Sequence, residues 1–178
     1  MSCIKHIKSI MNLQLKEHEK WMKYALQEAE KAYDVKEVPI GAIVVKEGVI
    51  IGRGHNQCES LHDPTAHAEI IAISSATNTL KDWRLTDCSL YVTKEPCFMC
   101  SGALMNSRMK FVGFGIYDEQ EGCCGSVYQI CKDSRFKHQV LVKGGILEES
   151  CKYLINIRRY CILNLLFFNV QIDYNWGF

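Results

Sequence analysis

The sequence predicts an α/β fold built on a five-stranded mixed sheet covered by helices on both faces. Three observations carry that reading. Apolar residues recur at helical spacing near the start, two β-branched runs meet at a Glu-Gly turn, and later short apolar runs alternate with helical segments. At 178 residues and 48% hydrophobic content, the chain can bury a real core within one domain.

Each element follows in order. Between Glu17 and Tyr33, the residues Trp21, Tyr24, Ala25, Ala29 and Ala32 fall three to four apart with charges between them. That spacing predicts an amphipathic helix, which Val38-Pro39 ends. Ile40 to Lys46 and Val49 to Gly54 read as strands joined in a hairpin at Glu47-Gly48. Asp63-Pro64 resembles an N-cap followed by proline at the first helical position, opening a helix towards Ser75. Ser89 to Thr93 is a short buried strand, and Glu95-Pro96 turns it into a helix from Cys97 to about Asn106. Phe111 to Ile116 and Gln139 to Val142 supply the fourth and fifth strands, and Glu148 to at least Arg159 the closing helix. Helices between the later strands suit right-handed parallel crossovers. The core spans about 17–159. Beyond it, 160–178 is an atypical apolar tail, in which Tyr160 to Val170 is too short to span a bilayer and is broken by Asn164 and Asn169. A buried or interfacial helix end is expected there, with no membrane contact.

Charge is nearly balanced, 21 basic residues against 20 acidic, so a nucleic-acid ligand would need a local patch and not a global field. Ten cysteines are many for this length. The stretch Ile4-Lys5-His6-Ile7-Lys8 mixes charge with apolar residues and lacks the apolar core of a secretion signal. A reducing cytoplasm is expected, with two cysteines on a metal and Cys88, Cys123, Cys124 and Cys151 as small core residues.

The chemistry is concentrated in His67-Ala68-Glu69 and, thirty positions on, Pro96-Cys97-Phe98-Met99-Cys100. One imidazole and two thiolates are three zinc ligands with a fourth position left open, the pattern of a catalytic site. Cys97 and Cys100, three apart, present both sulfurs from the first turn of one helix, where the positive helix end favours thiolate. His67 and Glu69 would point to nearly opposite sides of a regular helix, so both reach one site only where the helix is just beginning. A lone Cys-x-x-Cys also suits half a zinc ribbon or a redox pair, but no second pair completes a ribbon. His-x-Glu at a helix start followed by Pro-Cys-x-x-Cys after a strand is the zinc-dependent base-deaminase pattern. Glu69 then shuttles protons and is no metal ligand.

The resemblance extends from Val38 to about Leu147. Val38-Pro39-Ile40-Gly41-Ala42, His62-Asp63-Pro64-Thr65-Ala66-His67-Ala68-Glu69-Ile70 and Leu90-Tyr91-Val92-Thr93 carry its first half. Glu95 to Ala103, Ser107-Arg108 and Gly122-Cys123-Cys124-Gly125-Ser126 carry its second. Together, and in this order, they resemble the bacterial-type tRNA-specific adenosine deaminases. That resemblance implies a cytidine-deaminase-like three-layer α/β/α sandwich, a zinc ion, a homodimer, and conversion of adenosine to inosine at the wobble position of a tRNA anticodon stem-loop. It also implies that Asn56 hydrogen-bonds the flipped base. The Ala68 N–H and Pro96 are expected at the same substrate site, and Arg108 is expected to contact phosphate. Lys132, Arg135, Lys137, His138 and Lys143 are a second basic stretch, read chiefly as a solvated face.

Three features depart from the family pattern. Arg158-Arg159 precede an apolar tail, residues 118–121 are acidic, and cysteines replace alanines in Gly122-Cys123-Cys124-Gly125. Two alternatives stay open on the residues alone: a free-base or nucleotide deaminase acting on guanine, cytidine or deoxycytidylate, and a catalytically silent zinc-binding subunit. Ser107-Arg108 and the Gly-Cys-Cys-Gly-Ser stretch argue against the first, and the retained Glu69 against the second.

Overall fold

The computed structural model describes the backbone of residues 2–167 and the side-chain surroundings of residues 12–157. Its elements run α1 (Ser2–Asp34), β1 (Gly41–Lys46), β2 (Val49–His55), α2 (Cys58–Leu61), α3 (Ala68–Leu80) and β3 (Cys88–Lys94). Then follow α4 (Phe98–Asn106), β4 (Phe111–Ile116), a 3-10 turn (Ile130–Lys132), β5 (Leu141–Lys143) and α5 (Glu148–Phe167). The five strands form one sheet in the order β2-β1-β3-β4-β5. β1 lies antiparallel to β2 and β3, while β3, β4 and β5 are mutually parallel. The sheet is therefore mixed, as the sequence predicts.

Strand alternation divides the core into two layers of packing. Ala42, Val44, Leu90, Val92, Val112 and Phe114 face one side, against Ala68, Ala72 and Ala76 of α3 and Leu104 of α4. Ile43, Val45 and Tyr91 face the other, against Trp21, Met22 and Ala25 of α1 and Cys151 of α5. Helices on both faces of one sheet make the three-layer α/β/α sandwich. In the β1–β2 hairpin both turn residues, Glu47 (φ 50°) and Gly48 (φ 75°), are left-handed, the type I′ geometry that matches strand twist. α3 packs close enough on β2 that a Cβ at Gly54 would stand 2.4 Å from the Ala68 carbonyl oxygen.

The structure corrects some boundaries. α1 begins at Ser2 and not near Glu17. Residues 12–17 are exposed, so that part of the helix has no apolar stripe for periodicity to reveal. The helix expected from Asp63-Pro64 begins instead at Ala68. Asp63 Oδ1 accepts the Thr65 N–H (2.8 Å) and the Thr65 hydroxyl (2.7 Å), so its side chain closes a local turn instead of capping a helix. α2 was not foreseen, and the β4-to-β5 crossover holds a 3-10 turn where a regular helix was expected. Of the apolar tail, the side chains of 160–178 lie outside the described residues. Among the described residues, no helix is long and apolar enough to cross a membrane.

Candidate metal centre and active site

Two helices begin at one place. His67, in extended backbone (φ −69°, ψ 151°), is the N-cap of α3. Cys97, also extended (φ −71°, ψ 179°), is the N-cap of α4, so it stands just outside the helix and not in its first turn. Neither side chain caps its own helix. They turn towards each other instead: His67 Nδ1 lies 3.7 Å from Cys97 Sγ and 3.5 Å from Cys100 Sγ. All three donor atoms lie within 4.8 Å of one another, a group that could hold a metal ion. This arrangement resolves the two-residue spacing of His67 and Glu69. The histidine precedes the helix and the glutamate sits at its second position, so regular helical angles do not separate them.

The electrostatics single out Cys97 as the thiolate of the set. Cys97 is pushed down to about 4, first by its hydrogen bond with Cys100 and, against the opposing effect of burial, by His67 as well. Cys100 is pushed up by the same shared hydrogen bond and by burial. The His67 imidazole is raised by its hydrogen bond to Cys97. Glu69 is 3% exposed. Burial raises its carboxyl above the usual range, and it makes a hydrogen bond with Cys100. The first-turn N–H groups of α3 and α4 add two positive helix ends to the same spot.

Proteins similar to this chain in sequence and fold are deaminases. The MafB19-like deaminase family model matches residues 16–149. The tRNA-specific adenosine deaminase of Bacillus subtilis (strain 168) is 47% identical over 133 residues, covering 75% of this chain and 83% of that protein. This chain belongs to the tRNA-specific adenosine deaminase family.

A solved structure from work on A-to-I editing by tRNA:A34 deaminases at the wobble position superposes with a TM-score of 0.73 at 36% identity, over 76% of this chain and 98% of that one. A guanine deaminase from Bacillus subtilis matches less of the deaminase, 56% of this chain and 64% of that one, with a TM-score of 0.54 at 40% identity.

The remaining candidate site residues of the deaminase divide into two sets. Asn56 is buried at the end of β2, and the next N–H, that of Gln57, donates to the Ala66 carbonyl (3.0 Å), which ties Asn56 to the turn carrying His67 and Ala68. Ala68 is the first residue of α3. Pro96 accepts the Cys123 N–H through its carbonyl (2.9 Å), holding the 118–126 loop against the Cys97 turn. Arg108 does not join them. It follows the far end of α4, about 15 Å along the helix from Cys97, with left-handed backbone (φ 61°). In the second basic stretch, Arg135 pairs with Asp133 and His138 Nε2 bonds the Met109 carbonyl oxygen (2.8 Å), while Lys132 and Lys137 are exposed. In the acidic loop, Asp118 pairs with Lys94 at 2.7 Å.

Two buried glutamates that contact these candidate residues or the loop beside them escaped the sequence reading. Glu37, fully buried, accepts the Asn56 Nδ2–H at Oε2 (3.1 Å) and the Ser60 N–H at Oε1 (2.8 Å). Glu95, 3% exposed, accepts the N–H groups of Asp118 (3.0 Å), Cys124 (2.9 Å) and Ser126 (3.0 Å), and the Ser126 hydroxyl. Position next to Pro96-Cys97 was the one available signal for Glu95; Glu37 had none. Cys88, Cys123, Cys124 and Cys151 are buried as expected, as is Cys131. None of the eight described cysteines forms a disulfide.

Proposed function

We propose that this chain, acting as one domain over about 17–159, hydrolyses adenosine to inosine at the wobble position of a tRNA anticodon. Zinc is held by His67, Cys97 and Cys100, and Glu69 moves the protons. The single observation that carries the reading is the imidazole and two thiols meeting at two helix starts beside a buried glutamate. Tetrahedral zinc, with Zn–S of about 2.3 Å and Zn–N of about 2.0–2.1 Å, needs S···N separations of about 3.6 Å. The two here are 3.7 and 3.5 Å. The adenosine and tRNA assignment is supported by relatives of that name at closely similar length.

Zinc supplies the acidity that makes water a nucleophile near neutral pH. The Glu69 carboxylate takes the proton from that water and passes one to ring N1. Once the oxygen has bonded to C6, Glu69 takes the second proton from that hydroxyl and gives it to the exocyclic amine; the C6–N bond breaks, ammonia leaves, and the oxygen stays on C6 as the carbonyl. Burial of Glu69 excludes bulk solvent from this transfer. Asn56, the Ala68 N–H and Pro96 form the wall against which the flipped base is held, and an anticodon loop offers an unstacked base at low cost. Arg108 is assigned to a phosphate away from the reacting base. A cytoplasmic homodimer completes the reading.

The test is inosine formation by zinc-loaded protein on an anticodon stem-loop, with free adenosine, cytidine and guanine run beside it. Conversion of the stem-loop alone is expected. Ammonia from a free base, without inosine in RNA, would overturn the substrate. Glu69→Gln is expected to keep its zinc by elemental analysis and to lose about 10²–10⁴ in kcat. Retained turnover in metal-loaded Glu69→Gln protein would remove Glu69 from the mechanism.

A further inference from the structure

Glu37 lies in the connection between α1 and β1, a carboxyl with no exposed surface and both oxygens used. A buried carboxyl is costly unless its oxygens are hydrogen-bonded, so these two contacts matter to what they hold. One holds the main chain of α2 through Ser60, and the other holds the Asn56 side chain.

The Asn56 contact fixes more than a position. An asparagine amide has two nearly isosteric orientations, one placing nitrogen and the other oxygen towards a given neighbour. Glu37 Oε2 lies where Asn56 presents Nδ2. Turning the amide over would set oxygen against oxygen in a buried site, losing a hydrogen bond and leaving both acceptors unmatched. The backbone on either side is pinned as well, with Asn56 N–H on the Ile40 carbonyl and Gln57 N–H on the Ala66 carbonyl, both at 3.0 Å. The other contact to the amide is the weak donor Cys58 Sγ, 3.6 Å from Oδ1. The remaining Nδ2 hydrogen and an Oδ1 lone pair are therefore offered in one fixed order.

We infer that Glu37 is a positioning residue of the base pocket: by locking the Asn56 amide in one orientation it sets which base edge the pocket accepts. The inference rests on the proposed reaction and deepens it. Glu37 touches no substrate, and its effect passes wholly through Asn56. Removing one acceptor lets the amide populate both orders, which weakens base binding while leaving Glu69 and the metal donors in place.

The experiment is a double-mutant cycle in kcat and KM on whichever substrate of the panel the wild type converts. It uses zinc-loaded wild type, Glu37→Gln, Asn56→Ala and the double variant. Glu37→Gln is expected to raise KM about tenfold, the scale of one lost hydrogen bond, with kcat within about twofold and zinc content unchanged. In the Asn56→Ala background the same change is expected to do nothing further to KM. Equal KM increases in both backgrounds, or a fall in kcat with KM unchanged, would overturn the inference and leave Glu37 a purely structural anchor. Should Glu37→Gln not fold, Glu37→Asp keeps the acceptors one methylene short and enters the same cycle, with the same non-additivity expected. A wild type inactive on every member of the panel would instead overturn the proposed reaction, and the inference with it.

Discussion

The two sides of the candidate active site are each organised by one buried glutamate, and the two are used differently. Glu95 accepts three main-chain N–H groups and one hydroxyl, all from the segment 118–126. That segment has no ladder of its own beyond an isolated bridge between Cys124 and Gln129. Glu37 accepts one main-chain N–H and one side-chain amide, and its surroundings are already braced by β1, β2 and α3. The same residue type thus folds a loop on one side and aims a side chain on the other. What a buried acceptor does depends on how much of its neighbourhood would hold its shape without it.

The largest way to break that comparison is Glu95→Ala. It strips partners from four donors at once, and part of the loss is recovered by water, so a destabilisation of about 3–5 kcal/mol is expected in urea denaturation. Glu37→Ala should cost less, about 2 kcal/mol on the same scale. Equal losses would mean that both glutamates serve the fold alone. A middle-sized effect is expected from Gly54→Ala, whose new Cβ would meet the Ala68 carbonyl oxygen at 2.4 Å and the Ala72 nitrogen at 2.6 Å. Overpacking of this kind costs about 1–3 kcal/mol. Because it moves the start of α3, it should also speed zinc loss to a chelator, which a change confined to the Glu95 side should do less.

The smallest effect belongs to Asp118, at the edge of the Glu95 loop. Burial raises its carboxyl, but Lys94 and the Gln120 N–H outweigh burial and hold it below the usual carboxylate range. A folded-state pKa below the unfolded one stabilises the fold above the unfolded value, about pH 4 for aspartate, and that contribution fades as pH falls through the folded pKa. Asp118→Asn should therefore lower Tm slightly at pH 7, with the gap to wild type narrowing as pH falls below about 4. A gap that widens on acidification would contradict the sign.

The sequence was informative where structure depends on local pattern and silent where it depends on distant main chain. β4 was found at its full extent because Phe111 to Ile116 is a compact apolar run. His67, Cys97 and Cys100 were legible because ligand chemistry restricts residue type and spacing. The start of α3 was misplaced because Asp63-Pro64 has the composition of both a helix cap and a tight turn. Only the Thr65 contacts decide between them. Glu37 and Glu95 were invisible because their partners lie 19 to 31 positions away and are mostly N–H groups, which every residue but proline carries. Arg108 was placed by motif alone, and a motif carries no distance along a helix.

The donors stand at two chain reversals thirty residues apart, and the strand leading into the second, β3, is inserted between β1 and β4 instead of being added at an edge. A short peptide around either reversal would hold only part of the ligand set. The complete set exists only after strands distant in the chain have paired, so a metal ion bound there selects the folded molecule as a whole. At a free concentration a thousandfold above its dissociation constant, such a ligand adds about 4 kcal/mol to global stability. A metal ion bound there would in this sense be a thermodynamic latch on the sheet, and its loss would register damage far from the residues that touch it.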